Sequence, residues 1–166
     1  MESVLDSPEL AIPTSDELAG QQCDEKWNIA MSVSLDADTR RIFQALTVPE
    51  YLETWIDMPD HTPSSRLLAS PDANGYRLDY FSANHISVSI FCSYLSCHQR
   101  KMRLHWRRNC HQGPTGSIVD FRLRGNFRTS ILELRHIALG SSEEFRWHQQ
   151  LWEGSLAKLA SLLRSA

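Results

Sequence analysis

Four cysteines and seven histidines hold the side chains best suited to metal or nucleophilic chemistry in this 166-residue chain. Cys92 is followed by Cys97 and His98, and Cys110 by His111. A β-hairpin would gather these ligands, but an odd separation on a regular strand sends Cys92 and Cys97 to opposite faces. The Cys-x2-Cys spacing typical of structural zinc is absent. So are Gly-x-Ser-x-Gly, His-Glu-x-x-His and any glycine-rich phosphate loop. No catalytic residue, metal or cofactor is expected.

Charge is the second source of chemistry. The chain carries 17 Lys and Arg against 20 Asp and Glu, a formal balance of −3 that hides two opposed regions. Residues 1–25 hold seven acids and no Lys or Arg, whereas Arg100 to His136 hold nine basic and two acidic residues. Arg103, Arg107, Arg122, Arg124 and Arg135 fall at alternate positions of β-patterned runs, so they share one sheet face. Asp120 and Glu133 can pair with them across strands. Aromatic residues are not interleaved with these arginines, which argues against stacking on single-stranded nucleic acid. The patch remains open to the acidic N-terminal region or to a second subunit.

Periodicity supplies the elements that must position these groups. Residues 1–25 contain Pro8 and Pro13 and lack a sustained repeat, so they read as a mostly flexible acidic extension with room for one helical turn at Thr14–Glu17. The domain then spans 26–166. Trp27 to Leu35 alternate as a half-buried strand. Asp36 or Asp38 can cap a short helix through Ile42, Phe43, Ala45 and Leu46. Thr47-Val48-Pro49-Glu50 has the form of a capping box opening a second short helix through Leu52 and Trp55, stopped before Pro59.

From Ser65 to Leu139 the period is two, with strands expected near 65–70, 75–81, 86–96, 100–108, 117–125 and 128–139. Asp72-Ala73-Asn74-Gly75, Gly113-Pro114-Thr115-Gly116 and Gly125-Asn126 read as tight turns between them. Short links make an antiparallel meander. Ser141-Ser142-Glu143-Glu144 then opens a long helix to about Arg164, with Phe145, His148, Leu151, Trp152, Leu156, Leu159 and Leu163 on one stripe.

This order of elements resembles the START-like, or helix-grip, superfamily (SRPBCC). Within it the chain is most similar to bacterial homologues of the activator of the ninety-kilodalton heat-shock chaperone ATPase. The likeness covers about residues 26–165. It rests on Ser34-Leu35-Asp36-Ala37 leading to Ile42-Phe43-Gln44-Ala45-Leu46-Thr47, on Leu52-Glu53-Thr54-Trp55, on the basic strand Arg100 to Arg107, and on Trp152 to Leu159. The chain has Asn74-Gly75 where the family often has a glycine pair, and Cys97-His98-Gln99 where it often has Asp-Pro. The substrate loops therefore do not carry over.

The resemblance implies an α+β fold: a curved seven-stranded antiparallel sheet around a long C-terminal helix, with two short helices after strand one and an internal cavity. Alternation assigns Leu104 and Trp106, Phe121, and Leu134 and His136 to its inner face, with Tyr80, Trp55, and Trp147 or Leu151 completing the lining. His136 is the polar group that could orient a ligand; otherwise it is a core histidine bonded to Tyr80 or backbone.

The expected function is non-catalytic binding of a small hydrophobic or amphipathic molecule between sheet and helix. Two alternatives are an interaction module regulating a chaperone or other ATPase, with a protein partner or homodimer, and a cyclase-like or hydrolase-like enzyme. An open cavity favours the binder, and a filled core with a charged outer face favours the interaction module. Two convergent titratable groups with an entrance favour the enzyme. No nucleic-acid or membrane partner is expected. Without a charged n-region, an apolar h-region or a membrane-length apolar run, a cytoplasmic location is expected.

Overall fold

A computed structural model describes residues 27–110 and 113–164, with the side chains of 110 and 113–115 outside the description. The expected acidic extension over 1–25 lies outside the described residues.

Strand β1 (Ile29–Leu35) leads into helices α1 (Thr39–Thr47) and α2 (Pro49–Trp55). Six strands follow: β2 (Arg66–Asp72), β3 (Gly75–Ser82), β4 (His85–His98), β5 (Lys101–Cys110), β6 (Gly113–Gly125) and β7 (Ser130–Ile137). Helix α3 (Ser142–Arg164) closes the chain. The seven strands form one antiparallel sheet in the order β1-β7-β6-β5-β4-β3-β2, so the helix-grip architecture expected from the sequence is present. β1 and β2 are the two edges, and the α1–α2 connection crosses between them.

Helix starts show which caps operate. The Asp38 carboxylate accepts from the Arg41 N–H at 2.7 Å, so Asp38 rather than Asp36 caps α1. The Thr47 capping box does not form. α1 runs through Thr47, whose hydroxyl donates to the Phe43 carbonyl, and Val48 becomes the N-cap with Pro49 in the first turn. At α3, Ser141 Oγ accepts from the Glu144 N–H at 3.2 Å, but the Glu144 side chain turns to the sheet instead of back to Ser141.

Gly113-Pro114-Thr115-Gly116 is not a turn. These residues pair with Arg107 to Cys110 as the start of β6. β7 ends at Ile137 opposite Ile118, so this end of β6 has lost its second neighbour and tolerates a proline. At the other end of β6, Gly125 adopts φ +153°, and a Cβ there would stand 2.4 Å from the Thr129 carbonyl oxygen. Asn126 Oδ1 then accepts from the N–H groups of Arg128 and Thr129, closing the β6–β7 hairpin.

One expectation on β4 also changes. A register shift between Tyr94 and Ser96 pairs Cys97 with Met102, while Cys92 pairs with Trp106. The bulge therefore returns Cys97 to the same face as Cys92, rather than the opposite one. Cys92 is buried and Cys97 exposed, about 16 Å apart along the strand by ordinary rise.

The core lies between the inner sheet face and α3. Leu78, Ile90, Leu104, Val119, Leu132 and Leu134 from the sheet meet Leu151, Trp152, Leu156 and Leu159 from α3, all nearly or fully buried. The opposite face holds Lys101, Arg103, Arg107, Arg122, Arg124 and Arg135, exposed as alternation predicts.

Candidate functional site

Two regions of the grip contain polar groups in unusual settings: its centre, under α3, and its mouth, between α2 and the β2–β3 edge.

The centre is packed. Trp106, Trp152, Phe121 and His136 converge there, with Trp106 and Trp152 ring centroids 5.1 Å apart and Phe121 edge-on to Trp152 at 5.8 Å. Leu104, Leu134, Leu151, His136 and Trp152 have no exposed surface. Trp55 is equally buried, and its indole N–H donates to the Ala45 carbonyl at 2.8 Å, tying α2 to α1. Trp147 stands apart at the rim, where the Arg108 guanidinium lies 4.2 Å from its ring centroid.

The two buried imidazoles are held in a closed chain of donors and acceptors. Trp152 Nε1 donates to His136 Nδ1 at 3.0 Å, and Trp106 Nε1 donates to His148 Nε2 at 3.1 Å. Indoles only donate, so each imidazole accepts at that nitrogen and carries its proton on the other. His136 Nε2–H then donates to Ser117 Oγ at 2.6 Å, and the Ser117 hydroxyl donates to the Trp106 carbonyl at 3.2 Å. His148 Nδ1–H donates to the Glu144 carbonyl at 2.8 Å. The ring centroids of His136 and His148 are 4.5 Å apart.

Burial drives both imidazoles toward the neutral form, with a further push on His136 from His148. His136 is held well below the usual histidine range, and His148 is lowered to about 4. Beside them Arg108 Nε donates to Glu144 Oε2 at 3.2 Å, with a second bond from its terminal nitrogen to Glu144 Oε1. Both side chains are only 9% exposed, so the strand and the helix share a buried ion pair. Among the described residues, no buried side-chain nitrogen or oxygen lacks a partner.

This arrangement ties β5, β6, β7 and α3 together through side chains. The lone pairs of both histidines are committed to indoles, and neither ring reaches solvent. His136, expected either to orient a ligand or to bond Tyr80 or backbone, is buried with the side chains of Ser117 and Trp152 as its partners. Tyr80 instead directs its hydroxyl at the Asp60 carbonyl, 3.4 Å away.

The mouth is open. A cleft of about 410 Å³ lies between α2, the segment 57–65, β2, β3 and α3. Its apolar wall includes Ile56, Met58, Leu67 and Tyr80, and its polar rim includes Asp57, His61 and Lys158. The Asp57 N–H donates to Ser155 Oγ at 2.9 Å, fixing the loop on α3, and Glu53 Oε1 accepts the Ala69 N–H at 2.8 Å, fixing α2 on β2. Gly154 permits this approach, since a Cβ there would meet Asp57 Oδ2 at 2.8 Å. Of the residues expected to line a ligand site, Tyr80 reaches this cleft; Trp55, Leu104, Trp106, Phe121, Leu134, His136, Trp147 and Leu151 do not.

Sequence reasoning missed Arg108, Glu144, Ser117, Asp57, His61 and Lys158. Arg108 carried a usable signal: it shares the parity of Met102, Leu104 and Trp106 and so points inward. Glu144 carried another, standing one helical turn before His148 on the buried stripe. The loop residues Asp57 and His61 carried none.

Among the described residues, no group of three His, Cys, Asp or Glu side chains is placed to hold a metal, and no helix is long and apolar enough to cross a membrane.

Solved structures share this architecture. Protein CV1439 from Chromobacterium violaceum superposes with a TM-score of 0.67 at 18% identity, covering 82% of this chain and 96% of that one. The AHSA1 protein from Silicibacter pomeroyi gives 0.66 at 15% identity, over 83% of this chain and 98% of its own. CalU16 from Micromonospora echinospora gives 0.58 at 20% identity, over 82% and 75%. The shared fold is the helix grip, a curved antiparallel sheet around a long C-terminal helix. Identities this low establish architecture alone. No protein-family model matches the chain, and no curated protein matches it in sequence.

Proposed function

We propose that this START-like domain is a non-catalytic binding protein for a small amphipathic molecule, held at the mouth of the grip rather than in its centre. The observation that carries the reading is the cleft of about 410 Å³, within the range of small-molecule sites, beside a centre filled by Trp106, Trp152 and the two histidines. The apolar part of the ligand lies on Ile56, Met58, Leu67 and Tyr80. Its polar end stays within reach of Asp57, His61 and Lys158, where water remains accessible.

A hydrophobic molecule enclosed under α3, as the sequence suggested, would have to displace side chains that make a fully satisfied polar network. Catalysis would need an opening to His136 and His148 and a free lone pair on one of them. Neither accompanies this geometry, which supports binding over turnover.

Fluorescence titration with anilinonaphthalene sulfonate, an anionic amphipathic probe, tests the reading. Saturable binding is expected, weakened about tenfold (roughly 1.4 kcal/mol) by Lys158→Glu and by Leu67→Arg. Absence of saturable binding, or affinity untouched by both substitutions, refutes it.

A further inference from the structure

We infer that β1 is a docking edge for a second copy of this chain, added antiparallel about a twofold axis through Met31. The two edges of the sheet are built differently. On β2, the outward Ala69 N–H is taken by Glu53 Oε1, and Pro71, two residues on, has no N–H to offer. Arg66 and Asp72 place charge at both ends of that strand. Such devices keep an edge from recruiting another strand.

β1 has none of them. Ile29–Leu35 reads Ile-Ala-Met-Ser-Val-Ser-Leu, without a charge or a proline, and its seven residues pair with β7 without a register shift. Among the described residues, no side chain or loop bonds the backbone groups on its open side. Met31 and Val33 share the inner face with the buried Ile29 and Leu35, yet they stay partly exposed. On the outer face Ala30, Ser32 and Ser34 are small, so no β1 side chain obstructs a neighbour.

Charge selects the occupant and its register. A trough of about 350 Å³ on the outer face spans two rows of the sheet. One row runs from Ala30 through Arg135 to Asp120, the other from Ser32 through Glu133 to Arg122. Moving inward from the edge, the first row is positive then negative, and the second is negative then positive. An antiparallel copy with Met31 opposite Met31 sets Ala30 against Ser32, so each row continues into the other. Arg135 then faces Glu133 of the second copy, Asp120 faces its Arg122, and the axis repeats both. Moving the axis by one residue, to Ser32 or to Ala30, would set Glu133 against Glu133 or Arg135 against Arg135.

Asp120 and Glu133 already bond Arg103 and Arg124, which holds their carboxylates in place. Arg135 and the facing Glu133 stand three strand spacings apart, about 14 Å, across only Ala30 and Ser32. Complementarity at this range fixes register more than affinity. Affinity comes from the ladder hydrogen bonds and from inner-face pairs, Met31 with Met31 and Ile29 with Val33.

Sedimentation equilibrium of the full chain tests the inference. A monomer–dimer equilibrium is expected, and Glu133→Arg or Arg135→Glu alone should weaken it about tenfold by facing like charges. Mixing the two single variants should restore association, because every facing pair is then opposite in sign. With Cys23, Cys97 and Cys110 replaced by Ser, Met31→Cys should cross-link two copies on mild oxidation, since opposed residues approach to about 5 Å. Ser34→Cys should not, because its two copies would lie about 20 Å apart along the strands. A chain that stays monomeric up to about 1 mM overturns the inference. So does a dimer indifferent to both charge variants and to the position of the cysteine, which places the contact elsewhere. A monomer whose β1 amides resist hydrogen exchange overturns it in favour of an occupant from the same chain.

Discussion

Acidification should unlock the centre of the grip through its two histidines. Each imidazole receives an indole N–H, from Trp152 on His136 and from Trp106 on His148. A protonated ring would present N–H to N–H at that contact, in a site buried away from bulk solvent. In the unfolded chain a histidine takes its proton near pH 6.5, whereas folded His148 resists until about 4. The unfolded state thus binds more protons across this window, so stability is full above 6.5 and falls as the pH drops toward 4. Two to three pH units at 1.36 kcal/mol each make the loss from His148 roughly 3 kcal/mol, with a loss of the same sign from His136. Glu144 and Arg108 are the charged groups beside the pair, and they are paired with each other. Urea unfolding followed by tryptophan fluorescence across this window measures the effect. His148→Gln can still accept the Trp106 N–H and donate to the Glu144 carbonyl, but it does not titrate. Its unfolding midpoint should show a visibly shallower pH slope than the parent. Equal slopes in the two proteins, or no slope in either, refute the assignment.

Other substitutions probe the same scaffold. Arg108→Met should cost about 3–5 kcal/mol by stranding the Glu144 carboxylate, and adding Glu144→Leu should recover most of it in chemical denaturation. His136→Leu leaves the Trp152 N–H without an acceptor, while Ser117 loses one partner and keeps the Trp106 carbonyl. It should cost about 1–3 kcal/mol for the stranded indole N–H and lower the melting temperature, while leaving anilinonaphthalene sulfonate affinity at the mouth unchanged. Gly125→Ala forces a Cβ against the Thr129 carbonyl at positive φ, so a loss of about 1–3 kcal/mol is expected in thermal unfolding, with the far-ultraviolet spectrum retained.

The fold was legible because its signals are periodic. Alternation over β5 to β7 placed Met102, Leu104 and Trp106 inward and Arg103 and Arg107 outward, and the stripe from His148 to Leu163 set the face of α3. Local competition made the exceptions. The Thr47 hydroxyl had a nearer acceptor inside α1, the β4 bulge added a residue that reset the parity of Cys97, and an end of β6 with β5 as its one neighbour admitted Pro114. The centre was harder to read because its meaning lies in pairs from distant segments. Ser117, His136 and Trp152 are ordinary one at a time, and their donor–acceptor chain appears only when β6, β7 and α3 meet. The mouth was least legible, since Asp57, His61 and Lys158 belong to a loop and a helix surface without a repeating pattern. An aromatic inner face predicts a cavity or a filled core equally well, and here three indoles, Trp55, Trp106 and Trp152, are buried in the core.

The central claim is that binding occurs at the mouth and leaves the centre closed. Amide chemical-shift mapping during titration with anilinonaphthalene sulfonate tests it most directly. Shifts should gather on Asp57, Met58, His61, Leu67, Tyr80 and Lys158, while the indole N–H signals of Trp106 and Trp152 stay in place. Large shifts of those two indole signals, with the mouth residues unmoved, would contradict the account.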